Sequence, residues 1–399
     1  MLLDLLGPAH LVRERTSARQ LFELGFPGHE TGVSPPLDQA VKRAEDGGMR
    51  AAIARQGRMV VEEVPTPSLG PGDVLVQVKA CGICGSDLHT LHHADSLRAV
   101  SELSGAESQF DPNADFIMGH EYSAEVLEMG PQTEGSPIGV GDLTVSMPFA
   151  LAGGGLEPIG FSNTYNGGYA DLMRLTAAVC LKVPNGLDAR RAAMTEPMAV
   201  GLHAVNKSGI KPGDGAMVLG CGPVGLAVIA ALAKLGIGPI IASDFSERRR
   251  AMAVSMGAHE VVTPTTESAI DAWKRVGKPM QPVVLFEAIG VPGIIDSVMR
   301  DAPSQSRIVV VGVCMETDHL LPLVGVIKEL HLQFVFGYDP MEFAETLRHI
   351  AEGELDVTPM ITGVVGVDGV PAAFDALANP EAQVKIMVEP GAPADITNI

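Results

Sequence analysis

The sequence predicts an α/β chain in two parts: a β-rich, barrel-like domain and a doubly wound parallel sheet covered by helices on both faces. Three observations carry this. Between residues 49 and 196, short alternating segments such as VLVQVKA (74–80) are separated by Gly and Pro, the pattern of closely spaced strands. Between 197 and 338, buried strand-like runs alternate with helical runs, which argues for a parallel sheet. A G-x-G-x-x-G stretch, GCGPVG at 220–225, falls where the first of those strands ends and a long Ala/Leu helix begins.

Along the chain, residues 1–48 mix Pro, Gly and charges (FPGHETGVSPPLDQ) and read as an N-terminal extension, with a short helix around Leu11–Leu24. MRAAIARQGRMVVEEVPTP, from Met49, reads as strand, turn, strand. YSAEVLEMG (122–130) and GDLTVSM (141–147) are further strands. In the second part AMVLG (216–220) is a buried strand and VGLAVIAALAKLG its helix. PIIASD (239–244), a helix over 246–256, HEVVTP (259–264), VVLFEAIG (283–290), a helix to about Met299 and RIVVVGVC (307–314) follow. The tail carries helix PMEFAETLRHIAEGE, strand ITGVVGV, helix VPAAFDALANP and strand VKIMVEP, and is assigned back to the first domain. The division is therefore 1–48, then 49–196 completed by 339–399, with 197–338 between them.

Composition narrows the function classes. Of 399 residues, 46% are hydrophobic and 19% charged, which is globular composition. A net charge of −20 with no basic run makes nucleic acid and anionic membrane poor partners. No apolar run approaches the length of a membrane-spanning helix. The opening MLLDLLGPAH lacks the basic flank and long apolar core of a signal peptide. Cys81, Cys84, Cys180, Cys221 and Cys314 are odd in number and scattered, which fits a reducing cytoplasm and not a disulfide framework.

Each part of the glycine motif has a physical task. Gly220 permits the tight turn, Gly222 lets a pyrophosphate approach the backbone, and Gly225 lets helix and strand pack closely. Pro223 and Val224 open the helix whose free N–H groups face the phosphates. Asp244 ends the next strand and can accept from both ribose hydroxyls. It would repel a 2′-phosphate, so NAD is favoured over NADP. Arg248, Arg249 and Arg250 keep NADP as a second reading.

The stretch CGICGSDLH (81–89) admits a redox pair, half of a structural zinc knuckle or a coincidence of composition, and leaves open whether only one of the two sulfurs matters. Cys84 is followed by Ser86, Asp87 and His89. Gly119-His120-Glu121 comes later, and Thr195-Glu196-Pro197 lies at the junction of the two parts. Cys, His and carboxylate are zinc ligands, and three of them plus an open position is the catalytic arrangement.

CGICGSDLH, GHE, EPMAVGLHA and GCGPVG, in that order, resemble the zinc-dependent medium-chain dehydrogenase/reductase superfamily, in its sorbitol, butanediol and threonine dehydrogenase flavour. The resemblance covers about 49–390. It implies a GroES-like catalytic domain plus a Rossmann domain, with the active site in the cleft between them, and a homodimer or homotetramer. By position it implies Cys84 as zinc thiolate, His120 as imidazole ligand and Glu196 as the third ligand. Glu121 becomes a carboxylate behind the metal or exchanging with the third ligand. Cys81 matches no ligand and reads as a small buried hydrophobe. Zinc would lower the pKa of an alcohol and stabilise its alkoxide. Ser86 and His89 resemble the relay that carries the proton to solvent by way of the cofactor ribose. His92 and His93 read as solvent-side residues, and Asp87 as support for a ligand. Val311, Val313 and the segments 287–290 and 336–338 fall where the family lays backbone against the nicotinamide and ribose. Arg249 falls near the adenosine ribose, and Lys385 resembles a late basic residue reaching the pyrophosphate.

Two departures stand out. The lobe over 142–168 has no cysteine, so a single zinc per subunit and no structural zinc is expected. The connection from Cys84 to His120 is long, with HHADSLRAVSELSGAESQFDPNADF inserted. DSLRAVSEL predicts a short helix capped by Asp95 or Ser96, and the insert is expected to form part of the substrate wall or a lid. The leading reading is an NAD-linked, zinc-dependent dehydrogenase of a secondary alcohol or polyol, working on a small-molecule alcohol or ketone. The alternatives are a zinc-independent enone or quinone reductase on the same fold and a non-enzymatic binding protein derived from it.

Overall fold

The computed structural model describes residues 47–105, 110–152, 155–278 and 280–399. The expected helix at Leu11–Leu24, and the extension up to residue 46, lie outside the described residues. The strand–turn–strand from Met49 forms β1 (Gly48–Arg55) and β2 (Arg58–Pro65), paired antiparallel. Gln56 and Gly57 both take positive φ (49° and 75°), the two-residue turn whose twist matches the hairpin.

β3 (Asp73–Gly82), α1 (Gly85–Leu103), β4 (Glu121–Met129), β5 (Leu143–Ser146), β6 (Phe149–Ala152), β7 (Gly155–Pro158), β8 (Leu172–Thr176) and β9 (Cys180–Lys182) follow. The helices α2 (Ala189–Ala193) and α3 (Thr195–Ser208) lead into the second part. There the order is β10 (Gly215–Leu219), α4 (Pro223–Lys234), β11 (Ile240–Ser243), α5 (Glu247–Ser255), β12 (Glu260–Val262), α6 (Ala269–Val276), β13 (Val283–Glu287), α7 (Ile294–Asp301), β14 (Arg307–Val310), α8 (Pro322–Lys328) and β15 (His331–Phe334). The tail adds α9 (Pro340–Ala351), β16 (Ile361–Val365), α10 (Val370–Leu377), β17 (Lys385–Val388) and β18 (Thr397–Asn398).

The middle of the chain makes a six-stranded, all-parallel sheet in the order β12-β11-β10-β13-β14-β15. Strand order reverses between β10 and β13, so a crevice opens at their carboxyl ends, where an open α/β sheet binds its ligand. The tail does return to the first part. β17 pairs with β3, and β16 and β18 extend that sheet along the path β18-β16-β17-β3-β4-β5-β9, with β8 also on β3. This is the expected GroES-like plus Rossmann α/β fold.

The two parts join along α3. A Cβ on Gly201 would lie 2.4 Å from a backbone carbon of Ala227 in α4, so only glycine permits the close crossing of these helices. Glu342 of α9 accepts from Asn206 at 2.7 Å and meets His203 Nδ1 at 2.7 Å, tying the start of the tail to α3. The insert carries a helical segment over DSLRAVSEL, as expected: α1 is two helical segments joined at a kink, with His93 non-helical (φ −132°, ψ 33°) between them. The helix that carries Ser86 and His89 is thereby followed directly by the helix of the insert.

Candidate active site

Metal-ligand atoms of Cys84, His120 and Glu121 lie within 4.8 Å of one another, the one such convergence of three donors among the described residues. Cys84 ends the β3 turn and starts α1, while His120 and Glu121 open β4, the antiparallel neighbour of β3. Glu196, in the first turn of α3, stands outside that tight trio but within electrostatic reach of His120 and Glu121. Burial pushes its carboxyl up to about 7, an effect that Glu121 adds to and that His120 and Lys385 oppose. A buried carboxylate that resists ionisation, beside a thiol and an imidazole, is a donor set that fits zinc.

Asp87 organises the ligands from behind. Its Oδ2 accepts from the Cys84 N–H at 3.0 Å and from the Tyr169 hydroxyl at 2.6 Å, and its Oδ1 lies 3.3 Å from His120 Nδ1. With Nδ1 turned to the carboxylate, Nε2 is left for a metal, the orientation a ligating histidine usually has. Burial works against a charged imidazole, yet the Asp87 charge and the Cys84 sulfur hold His120 well above its usual pKa, so this centre draws positive charge. Asp87→Asn is expected to weaken zinc binding by about 10- to 100-fold. Competition with a chelator measures it, and unaltered affinity would leave Asp87 without this role.

Lys385 is not where the sequence put it. It is fully buried, and its ammonium donates to both oxygens of Glu121 (2.7 and 2.6 Å) and to the Ile83 carbonyl (3.1 Å). The register explains this. Met387 of β17 pairs with Gly82 of β3, and Gly82 pairs with Glu121 of β4. A Cβ on Gly82 would fall 2.1 Å from Glu121 Oε2, so the missing side chain leaves the gap in which lysine and glutamate meet. A buried ammonium needs an anion, and it takes Glu121 instead of a phosphate. Cys81, also fully buried, packs its sulfur beneath Gly119 and Gly168, where added Cβ atoms would come within 2.9 and 2.7 Å. Burial raises its thiol pKa well above normal, so it is held as an inert thiol.

Of the glycines of the 220–225 turn, Gly220 and Gly222 lie between β10 and α4, and Gly225 lies in the first turn of α4. Gly220 has φ 92° beside Ala288 of the loop after β13, and a Cβ on Gly225 would meet the Gly220 carbonyl oxygen at 1.9 Å. At Gly222, the N-cap of α4, a Cβ would find nothing nearer than Arg249 Nη1 at 4.0 Å, which leaves the backbone open to a phosphate. Asp244 accepts from the N–H groups of Cys221 (2.7 Å) and Ser246 (2.8 Å) and is fixed at the end of β11. Of the three arginines, Arg248 and Arg250 donate to backbone carbonyls, whereas the buried Nε of Arg249 has no partner.

A cleft of about 1190 Å³ joins the two halves. It is lined by Cys84, Ser86, His89, His120, Glu121 and Glu196 on one side. On the other it meets Gly220, Gly222, Pro223, Val224, Asp244 and Arg249, with Val311, Val313 and Tyr338 between. Ser86 is half-buried and His89 exposed, a gradient outwards from Cys84, while His92 and His93 are exposed outside the cleft lining. Sequence reasoning missed Gly82, Tyr169 and the partner of Lys385. The one available signal was a lysine inside an otherwise apolar strand, which implies a buried anion.

Two family models match the chain: an alcohol dehydrogenase GroES-like domain over residues 70–185 and a zinc-binding dehydrogenase over 223–352. The (R,R)-butanediol dehydrogenase of Bacillus subtilis (strain 168) is 32% identical over 340 residues, 83% of this chain and 96% of that protein. The sorbitol dehydrogenase of the same organism is 26% identical over 86% of this chain and 97% of its own length. The crystal structure of 2R,3R-butanediol dehydrogenase from Bacillus subtilis aligns with TM-score 0.73 and 31% identity, covering 86% of this chain and 99% of that one. A zinc-binding dehydrogenase from Sinorhizobium meliloti 1021, bound to NADP, aligns with TM-score 0.72 and 27% identity, with the same coverage of both chains.

Proposed function

The chain belongs to the zinc-type medium-chain alcohol dehydrogenase family, and from that premise we propose that it oxidises a secondary alcohol to a ketone with NAD⁺, using one catalytic zinc per subunit. The observation that carries this reading is the convergence of Cys84, His120 and Glu121 at one end of a cleft whose other end is the glycine-rich turn. Zinc, when bound, supplies the Lewis acidity that makes an alcohol acidic enough to lose its proton at neutral pH. Cys84 and His120 would hold it. Of the two carboxylates, Glu121 is already neutralised by Lys385, whereas Glu196 is buried without a cation of its own. We therefore assign Glu196 as the third ligand and Glu121 to the layer behind it.

The chain's own residues would do the rest. Ser86 would accept the substrate proton, and His89, exposed one turn later, would pass it to solvent through the ribose. Gly222 and the first turn of α4 would bind the pyrophosphate. Val311, Val313 and the 336–338 segment would flank the nicotinamide, holding it against the metal end. Asp244 supports NAD over NADP through like-charge repulsion of a 2′-phosphate. Asp244→Asn, which keeps the shape and removes the charge, is expected to raise the NADP-to-NAD ratio of kcat/KM by on the order of 100-fold. An unchanged ratio from initial rates with both cofactors would remove Asp244 as the selector. The homo-oligomer and a cytoplasmic location complete the proposal, the latter supported by five free cysteines.

The test is NADH formation by purified protein with NAD⁺ and a panel of secondary alcohols, before and after zinc is stripped by a chelator. The expected result is NADH formation that falls on the order of 10³-fold on stripping and returns with added zinc. Full activity in the stripped protein would favour the zinc-independent reductase instead.

A further inference from the structure

We propose, building on the dehydrogenase reading above, that the substrate is a secondary alcohol carrying an extended apolar substituent, and that the inserted half of α1 forms the wall that receives it. Ser86, His89, Thr90, Leu97 and Ser101 all line the cleft. Ser86, His89 and Thr90 lie before the kink at His93 and Leu97 and Ser101 on the helical segment after it, so the cleft wall continues across the kink into the insert. Only the Ser86 end is at the metal ligands, so the insert lengthens the substrate channel away from the reacting carbon.

Apolar residues join those of α1 in the lining: Phe110, Met147, Phe149, Ile159 and Phe161, and the Phe161 ring lies 5.1 Å from the His120 ring, so the apolar surface begins beside His120. Phe110 is fixed edge-on against Phe116 at 4.9 Å between ring centres, which makes its part of the wall preformed. A polyol brought here would bury hydroxyls, and each one left without a partner would weaken its binding. Apart from the ligands and the relay, the polar side chains among the described residues on this side of the cleft are Thr90, Ser101 and Tyr338, whose hydroxyl lies beside Glu196, and Thr90 is almost wholly buried. The charged residues Asp244, Arg249 and Asp301 belong to the dinucleotide side. The chemistry therefore favours an apolar chain over a string of hydroxyls, unlike the substrates in the names of the butanediol and sorbitol dehydrogenases.

The test is kcat/KM for the zinc-loaded protein with NAD⁺ on 2-butanol, 2-hexanol and 2-octanol, with 2,3-butanediol and sorbitol alongside. The expected result is a rise of about fourfold per added methylene, the value of burying a CH₂ group, and sorbitol below 2-octanol. Leu97→Ser is expected to lower the 2-octanol value about 10-fold, several times more than the 2-butanol value, with zinc content unchanged. A flat or falling series, or sorbitol above 2-octanol, overturns the substrate class while leaving the dehydrogenase reading intact. Equal losses on both alcohols in Leu97→Ser overturn the assignment of the wall. No NADH from any alcohol in the panel, with zinc bound, overturns the dehydrogenase reading and the substrate class together.

Discussion

Cys84→Ala is expected to cost on the order of 10³-fold or more in kcat/KM and most of the bound zinc, while Cys81→Ala leaves both near the starting protein. The two sulfurs lie three residues apart and in different surroundings. Cys84 is half-buried at the head of α1, its N–H held by Asp87 and its sulfur in the trio with His120 and Glu121. Cys81 is fully buried on β3 against Gly119 and Gly168, where burial and the charges of Asp87 and Glu121 outweigh Lys385 and disfavour a thiolate. Losing its sulfur removes a small packed volume, about 1 kcal/mol of stability, and no chemistry. Zinc content and initial rates of the two variants, taken side by side, check this. Equal inactivation by both would restore the reading of the pair as a dithiol redox module.

Lys385→Met is expected to destabilise the zinc-loaded protein by about 3–5 kcal/mol, because it leaves the Glu121 carboxylate buried and unpaired. Both partners are essentially inaccessible to water, so screening does little to soften the loss. Lys385→Met combined with Glu121→Gln is expected to recover most of that stability, since no charge is then stranded. Urea unfolding of the two proteins measures the difference. The same variants separate two roles for the lysine. If it served the cofactor pyrophosphate, Lys385→Met would raise KM for NAD⁺ and leave the unfolding midpoint in place.

Much of this was legible in the chain itself. The strand–helix alternation from 197 to 338 gave the parallel sheet, because buried strands and amphipathic helices have different periods. The turn at 220–225 could be placed because its glycines are demanded by backbone geometry, which leaves a mark in sequence. The site was harder. Cys84, His120 and Glu121 could be grouped only through the resemblance, since β3 and β4 bring them together across a long insert. The Lys385–Glu121 pair was misread because it depends on which strands are neighbours. β17 comes from the far end of the chain, and nothing local to VKIMVEP says that it lies beside Gly82. The helix of the insert was legible, since DSLRAVSEL is helical after the break at His93, but nothing local showed that it follows directly on the helix starting at Cys84.

X-ray absorption at the zinc edge of the loaded protein counts the sulfurs on the metal. One Zn–S distance of about 2.3 Å is expected, with the remaining ligands nitrogen or oxygen at about 2.0–2.2 Å. A site with two or more sulfurs would bring Cys81 or another cysteine into the metal centre, and a site with none would remove Cys84 from it; either result would refute a single zinc held by one sulfur.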